Sequence, residues 1–126
     1  MKFKEILSDV ADFQLASSQT VNTVPTVGDY SEAKLRYELM REENEEYKEA
    51  NRDEDIVEIL DACIDMIYVL AGTINQHGLQ GLIEEAFLRV HQNNMTKVID
   101  GKVLRNEQGK IMKPSGFVPV DLTNMF

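Results

Sequence analysis

The chain has 126 residues and a formal net charge of −9, with 22 acids against 13 bases. That length fits one domain spanning residues 1–126, and the acidic balance disfavours a nucleic-acid polymer as partner, which would need a basic face. No apolar run reaches the ~20 residues of a bilayer span, the opening MKFKEILSDVADF places acids where a signal peptide needs its apolar stretch, and the single cysteine, Cys63, allows no internal disulfide, so a cytoplasmic protein off the membrane is expected.

Residues 3–15 space Phe3, Ile6, Leu7, Val10 and Phe13 along one face of an amphipathic helix. Residues 17–30, SSQTVNTVPTVGDY, read as a connector. Ser31 is the expected N-cap of a second helix running to about Asn51. Asp53 is expected to cap a third, which runs to Gly72 or Gln76, with Gly78 just past its end. Leu79 to Asn93 reads as a fourth helix, with Leu82, Ile83, Ala86, Phe87 and Val90 on its apolar side. From Val98 onward, two glycine-containing turns separate short apolar runs, which predicts an irregular or hairpin-like tail. With no Trp, three Pro and seven Gly, the predicted fold class is all-α, a four-helix antiparallel bundle-type protomer with that C-terminal tail.

The charge is unevenly placed: residues 31–65 hold 13 acids and only five bases. The segment Ile56 to Ala71, IVEILDACIDMIYVLA, is apolar on nearly every side, the pattern of a buried helix, and Cys63 within it is expected as a packed thiol. On a helical wheel with Ile56 at zero, Asp61, Asp65 and Glu58 fall in one stripe at about 140°, 180° and 200°. On the second helix, with Leu35 at zero, Leu39, Tyr47, Met40 and Ala50 mark an apolar arc from about 0° to 140°. Glu43 and Glu46 fall inside that arc, at about 80° and 20°, and Glu42 sits on its edge. Glu38, Glu45, Glu49, Lys34, Arg41 and Lys48 form a solvated face, with Lys34 and Glu38, and Arg41 and Glu45, as neighbours.

Consecutive helices joined by a short connection pack antiparallel, which sets Glu43 and Glu46 against Glu58, Asp61 and Asp65. Carboxylates crowded away from water need protonation or a cation. All-oxygen donors suit Mg²⁺, Mn²⁺ or Ca²⁺ rather than zinc. A di-iron bundle site needs Glu-x-x-His pairs, and neither His77 nor His91 has a Glu three residues before it. The plain alternative is that these acids pair with bases or reach solvent. Arg36, at about 100°, is the one base in the inner arc.

The order Glu43-x-x-Glu46, then Glu58-x-x-Asp61 with an apolar, Tyr-containing continuation, resembles the all-α nucleoside triphosphate pyrophosphohydrolases. That superfamily includes MazG, the dimeric dUTPases, dCTP pyrophosphatases and phosphoribosyl-ATP pyrophosphohydrolase. LMREENEEYKEA resembles its first motif and EILDACIDMIYVLAGT its second. VHQNNMTK and the following GKVLRNEQGKIMKPSGFVPVDL resemble a branch of small bacterial and phage MazG-like proteins. Eleven residues separate Glu46 from Glu58, at or below the family's usual lower end. Many relatives place an Asp directly before the apolar-Tyr stretch; here Asp65 holds that place while Asp61 completes Glu-x-x-Asp, and both are carried as ligands.

The resemblance implies an Mg²⁺-dependent hydrolase, with Mn²⁺ as a possible substitute, that converts a nucleoside or deoxynucleoside triphosphate to the monophosphate and pyrophosphate. It implies Glu43, Glu46, Glu58, Asp61 and Asp65 as metal ligands and Glu42 or Glu43 as general base. Lys97, with Asn94 beside it, is the first expected phosphate or sugar contact. Lys110 and Lys113 on the tail, and His91, are further ones, set against the plainer readings of surface lysines and a structural histidine. Tyr68 could stack on a base or pack in the core, and Met40, Met66 and Met95 are expected as core fillers. Relatives form dimers or tetramers, and the apolar coverage of the third helix asks for an intersubunit face, so a homodimer or homotetramer is expected. Two other functions stay open: hydrolysis of phosphoribosyl-ATP, and a non-catalytic acidic helical oligomer acting as a regulator or partner-binding module.

Overall fold

A computed structural model describes residues 1–126. Helices α1 (Phe3–Ala16), α2 (Tyr30–Arg52) and α3 (Ile56–Gln76) form one unit, Met1–Gln80. Helix α4 (Ile83–Met95) and a two-stranded hairpin, β1 (Leu104–Arg105) and β2 (Ile111–Met112), form a second, Gly81–Phe126. The protein is all-α, as its sequence predicts, and no helix is long and apolar enough to cross a membrane.

Within the first unit α3 packs against both α1 and α2. Leu7, Val10 and Gln14 recur at helical spacing and form the buried face of α1. With Ala50, Ala62, Ala71 and Ile74 they make a thin core. Two amides sit fully inside it and satisfy each other and the backbone. Asn75 Nδ2 donates to Gln14 Oε1 at 3.0 Å and to the Leu7 carbonyl at 2.9 Å, while Gln14 Nε2 donates to the Gly72 carbonyl at 3.0 Å. Buried amides are tolerated only when bonded in this way.

Arg36 clamps α2 to α3. Its Nη2 donates to the Val69 carbonyl at 2.8 Å, its Nε to Thr73 Oγ1 at 3.2 Å, and its Nη1 to Gln19 Oε1 of the connector at 3.2 Å. Gly72 makes the approach possible, because a Cβ there would stand 2.5 Å from Arg36 Nη2. Arg36 is buried as the helical wheel predicts, but its partners are neutral groups and not the acids.

The helix ends differ from expectation by a few residues. Asp29, not Ser31, caps α2: its Oδ1 accepts from the Ser31 amide and the Ser31 hydroxyl, both at 2.7 Å. Asp55, not Asp53, caps α3, accepting from the Val57 and Glu58 amides at 3.1 and 3.2 Å. Asp53 instead closes α2, and Glu54 turns the chain with a positive φ of 55°. Two cap-competent side chains stand two residues apart in each case, and the one whose carboxylate reaches the first free amides wins. Gln80–Leu82 is a 3₁₀ turn, so α4 begins at Ile83 rather than Leu79. On the solvated face of α2 the pair that forms is Arg41 with Glu38, at 2.9 Å, in place of the expected Arg41 with Glu45.

Past α3, Gly78 takes φ +67°, Gly78 N–H donates to Asn75 O at 3.2 Å and Leu79 N–H to Ile74 O at 3.1 Å, a Schellman ending. His77 is the C-cap, and its Nδ1 lies 2.9 Å from the Thr26 carbonyl. The connector runs across this end, with the Asn22 and Thr26 amides donating to the Asn75 and His77 carbonyls at 3.0 and 2.9 Å.

In the tail, Leu104 pairs with Met112 and Arg105 with Ile111. Asn106 organises the turn by accepting from the Gln108 and Lys110 amides, each at 2.9 Å. The hairpin expected from the glycine spacing is present.

The expectation that α3 is buried all round is corrected. Its last six residues, Ala71 to Gln76, are mostly buried, but Ile56, Val57, Leu60, Ile64 and Ile67 are exposed, and so is Cys63. An apolar sequence shows that a face avoids water, not whether its own chain supplies the cover. Met95 is likewise exposed. Tyr68 is partly exposed and meets Phe13 edge-on, with ring centroids 5.8 Å apart.

Candidate functional site

The α2–α3 pair is antiparallel, as its short Asp53–Asp55 connection requires. Arg36 lies opposite Val69 and Thr73, Glu43 beside Asp65, and Ala50 and Ala62 close to the connection. This register turns the inward acids of each helix towards one another. Glu43, Glu46 and Asp65 each offer a carboxylate oxygen within 4.8 Å of the other two. An adjoining cleft of about 170 Å³ is lined by Glu46, Glu49, Asp53, Asp55, Glu58 and Asp61, with Ala50 and Ala62 at its base. Glu46 belongs to both.

Depth divides these acids. Glu43 and Asp65 are half-buried, while Glu46, Glu58 and Asp61 are exposed. The predicted row of buried acids is therefore corrected to an inner pair with an exposed acidic apron, because nothing in the first unit covers the N-terminal half of α3. Of the five expected metal-site acids, Glu43, Glu46 and Asp65 form the triad, while Glu58 and Asp61 line the adjoining cleft.

Glu43 carries the strongest electrostatic perturbation. Burial, followed by the neighbouring carboxylates of Glu46 and Asp65, pushes its carboxyl up from 4.5 to about 7. Its Oε2 is shut off from solvent and has no hydrogen-bond partner. A buried oxygen with no donor is rare in folded proteins and costs ~1–3 kcal/mol. No Lys or Arg stands within ion-pair distance of the triad, since the ion pairs of the chain are Arg41–Glu38, Arg52–Asp53 and Arg89–Glu85. The acid-pairs-with-base alternative therefore fails at the triad. A divalent cation fits the need: it gives the stranded oxygen a partner and relieves the repulsion.

Glu42 is exposed and lies outside both the triad and the cleft lining. Glu49, expected on the solvated face, and Asp53, expected as a cap, line the cleft, and so does Asp55. Glu49 lies about 60° from Glu46 on the wheel, a proximity that could have placed it there. The remaining candidates, His91, Asn94, Lys97, Lys110 and Lys113, belong to the second unit. There His91 is exposed, and Lys97 Nζ donates to Asn94 Oδ1 at 3.1 Å.

Residues 10–94 match the family model described as phosphoribosyl-ATP pyrophosphohydrolase, part of the all-α MazG-like pyrophosphohydrolase class. The match covers well over half the chain and both acid-bearing helices, and the chain belongs to this family, whose members are hydrolases of phosphoric anhydride bonds. No curated protein matches the chain.

Proposed function

We propose that the protein is an Mg²⁺-dependent nucleoside triphosphate pyrophosphohydrolase that releases the monophosphate and pyrophosphate. The observation that carries this reading is Glu43, a half-buried carboxylate with a stranded oxygen, grouped with Glu46 and Asp65 within the stretch that matches the family. Glu43, Glu46 and Asp65 would hold the ion, with Glu58 and Asp61 as further ligands reached through Glu46; Mn²⁺ suits the same all-oxygen set. When bound, the ion supplies the positive charge that neutralises the phosphate oxygens of the substrate. Glu42, next to Glu43 and open to solvent, would take the proton of the attacking water, with Glu43 as the alternative base. Lys97 and Asn94, joined by their hydrogen bond, serve the phosphates, and His91, Lys110 and Lys113 are further contacts. In this reading residues 1–126 act as one functional domain in the cytoplasm.

A self-associating form belongs to the same proposal. The exposed row Ile56, Leu60, Ile64 and Ile67 offers an apolar strip that a second copy would cover. Light scattering is expected to give a dimer or tetramer, with Ile64→Glu lowering the mass; a wild-type mass of one chain sinks this part.

Product analysis tests the activity. Canonical and modified nucleoside triphosphates are incubated with Mg²⁺ and with wild type or Glu46→Gln. Monophosphate plus pyrophosphate from wild type, lost in the variant, is the expected result. No turnover of any nucleotide overturns the main reading. A second reading, hydrolysis of phosphoribosyl-ATP, is favoured by the description of the matching family. Including that compound in the panel distinguishes the two.

A further inference from the structure

Arg36 is the one long side chain that α2 buries; the only other buried residue of that helix is Ala50. The guanidinium is 8% exposed, and all three of its bonds go to neutral acceptors, the Val69 carbonyl, Thr73 Oγ1 and Gln19 Oε1. No carboxylate stands within ion-pair distance of it, and burial pushes it down from its ordinary value. The acceptors are themselves held. Thr73 donates its hydroxyl to the same Val69 carbonyl at 3.1 Å, and Gln19 donates from Nε2 to Ser17 Oγ at 2.9 Å and from its amide to the Gln14 carbonyl at 2.7 Å. A charge buried without a counter-ion is a poor source of stability. What a guanidinium does supply is direction, because its donors are fixed in one plane.

The clamp and the α2–α3 connection bracket the acid triad. Glu43 follows Arg36 by two helical turns, about 10 Å along α2, and Asp65 stands one turn before Val69 on α3. On the other side, Ala50 and Ala62 pack beside the connection. Between these two pins lie Glu43, Glu46 and Asp65, whose carboxylates come within 4.8 Å of one another and push the helices apart when no cation is bound. A cation–oxygen contact tolerates only ~0.2 Å, so a spread helix pair offers a poorer site. The connection restrains one end of the pair, and Arg36 restrains the other.

We propose that Arg36 is the positioning residue of the cation site: its clamp on Val69, Thr73 and Gln19 holds α2 and α3 together against the repulsion of Glu43, Glu46 and Asp65, so that the three acids are converged before an ion arrives. Gly72 is the permissive half of this device, since a Cβ there would stand 2.5 Å from Arg36 Nη2 and displace the tip of the side chain. The cation part rests on the proposed function; the mechanical coupling of clamp to acids does not.

Two measurements on the full chain, both without nucleotide, test the proposal. In the first, Mn²⁺ affinity is read by electron paramagnetic resonance for wild type, Arg36→Lys, Gly72→Ala and Gly28→Ala. Lysine keeps the charge but cannot span three acceptors. Gly72→Ala keeps Arg36 and improves helix propensity, so it remains a valid test if Arg36→Lys unfolds the chain. Both are expected to weaken binding at least about 10-fold. Gly28→Ala, where nothing meets the added Cβ, is strained in the connector and is expected to bind as wild type does. Measurable binding that is equal in wild type and both clamp variants, or equally weakened in Gly28→Ala, overturns the proposal. In the second, melting temperatures are taken in chelator at pH 8, with each clamp substitution made in wild type and in Glu43→Gln. Residues this far apart ordinarily act additively. Each clamp substitution is expected to lower the melting temperature by at least about 2 °C more in wild type than in Glu43→Gln, where the repulsion is reduced. Equal effects in the two backgrounds overturn the proposal. Non-additive melting in a protein that binds no Mn²⁺ would uphold the coupling of clamp to acids and reject the cation reading.

Discussion

Glu43→Gln is expected to lower nucleotide hydrolysis at least about 100-fold while making the metal-free protein more stable at pH 8. The activity loss follows from removing a charged ligand from the centre of the triad, and 100-fold corresponds to about 2.7 kcal/mol of transition-state stabilisation. The stability gain follows from linkage. The Glu43 carboxyl sits at about 7 in the folded chain against an ordinary 4.5, so the folded state holds this proton more tightly than the unfolded state. Its favourable contribution is complete below pH 4.5 and is lost as pH rises towards 7 and past it. Glutamine carries no such penalty. After a discount for partial solvent screening, the difference at pH 8 is about 1–2 kcal/mol.

Scanning calorimetry in chelator at pH 5 and pH 8 checks this. The wild-type melting temperature should fall more between the two than that of Glu43→Gln, and added Mg²⁺ should recover the difference for wild type alone. A variant less stable than wild type at pH 8 would mean that Glu43 has a stabilising partner, against the account.

Gly78→Ala carries the largest expected cost to stability. At φ +67° an alanine is strained by ~1 kcal/mol or more, and its Cβ would also run into the backbone carbonyl of Val24. Backbone cannot swing aside as a side-chain tip can. The connector would have to lift, endangering the bonds of Asn22 and Thr26 to the end of α3 and the bond from Gln80 Nε2 to the Asn22 carbonyl. A total of about 3 kcal/mol or more is expected. Gly28→Ala is the control. Gly28 has a similar φ of +71°, but nothing lies within 4 Å of the added Cβ, so only the strain of about 1 kcal/mol applies. Denaturant unfolding of both variants separates the terms, and equal losses would show that the Val24 contact does not matter.

The acid site was largely legible because helical periodicity is a local property. Glu43 and Glu46 fall in an apolar arc, and a short connection fixes the antiparallel register that brings them to α3. Which α3 acid would join them was not legible. Asp61 and Asp65 share one stripe, and the choice depends on how far along α2 each residue falls. In the structure Asp65 reaches Glu43, whereas Asp61 lies nearer the connection beside Ala50 and the cleft. Burial was legible only as a demand. Ile56, Leu60 and Ile64 ask for cover that the described chain does not give them, and a sequence does not say who provides it. The caps failed for a narrower reason: Asp29 and Ser31, like Asp53 and Asp55, are both suitable, and a two-residue shift is below what composition resolves.

The most direct measurement is Mn²⁺ binding followed by electron paramagnetic resonance, with wild type, Glu43→Gln, Asp65→Asn and Glu38→Gln compared in the absence of nucleotide. The account predicts a protein-bound Mn²⁺ signal for wild type that Mg²⁺ displaces. It predicts loss of that signal in Glu43→Gln and Asp65→Asn, and its retention in Glu38→Gln, where the charge pairs with Arg41 on the solvated face. Equal binding by all four proteins, or no binding by wild type, would contradict the claim that the Glu43, Glu46 and Asp65 cluster exists to hold a divalent cation.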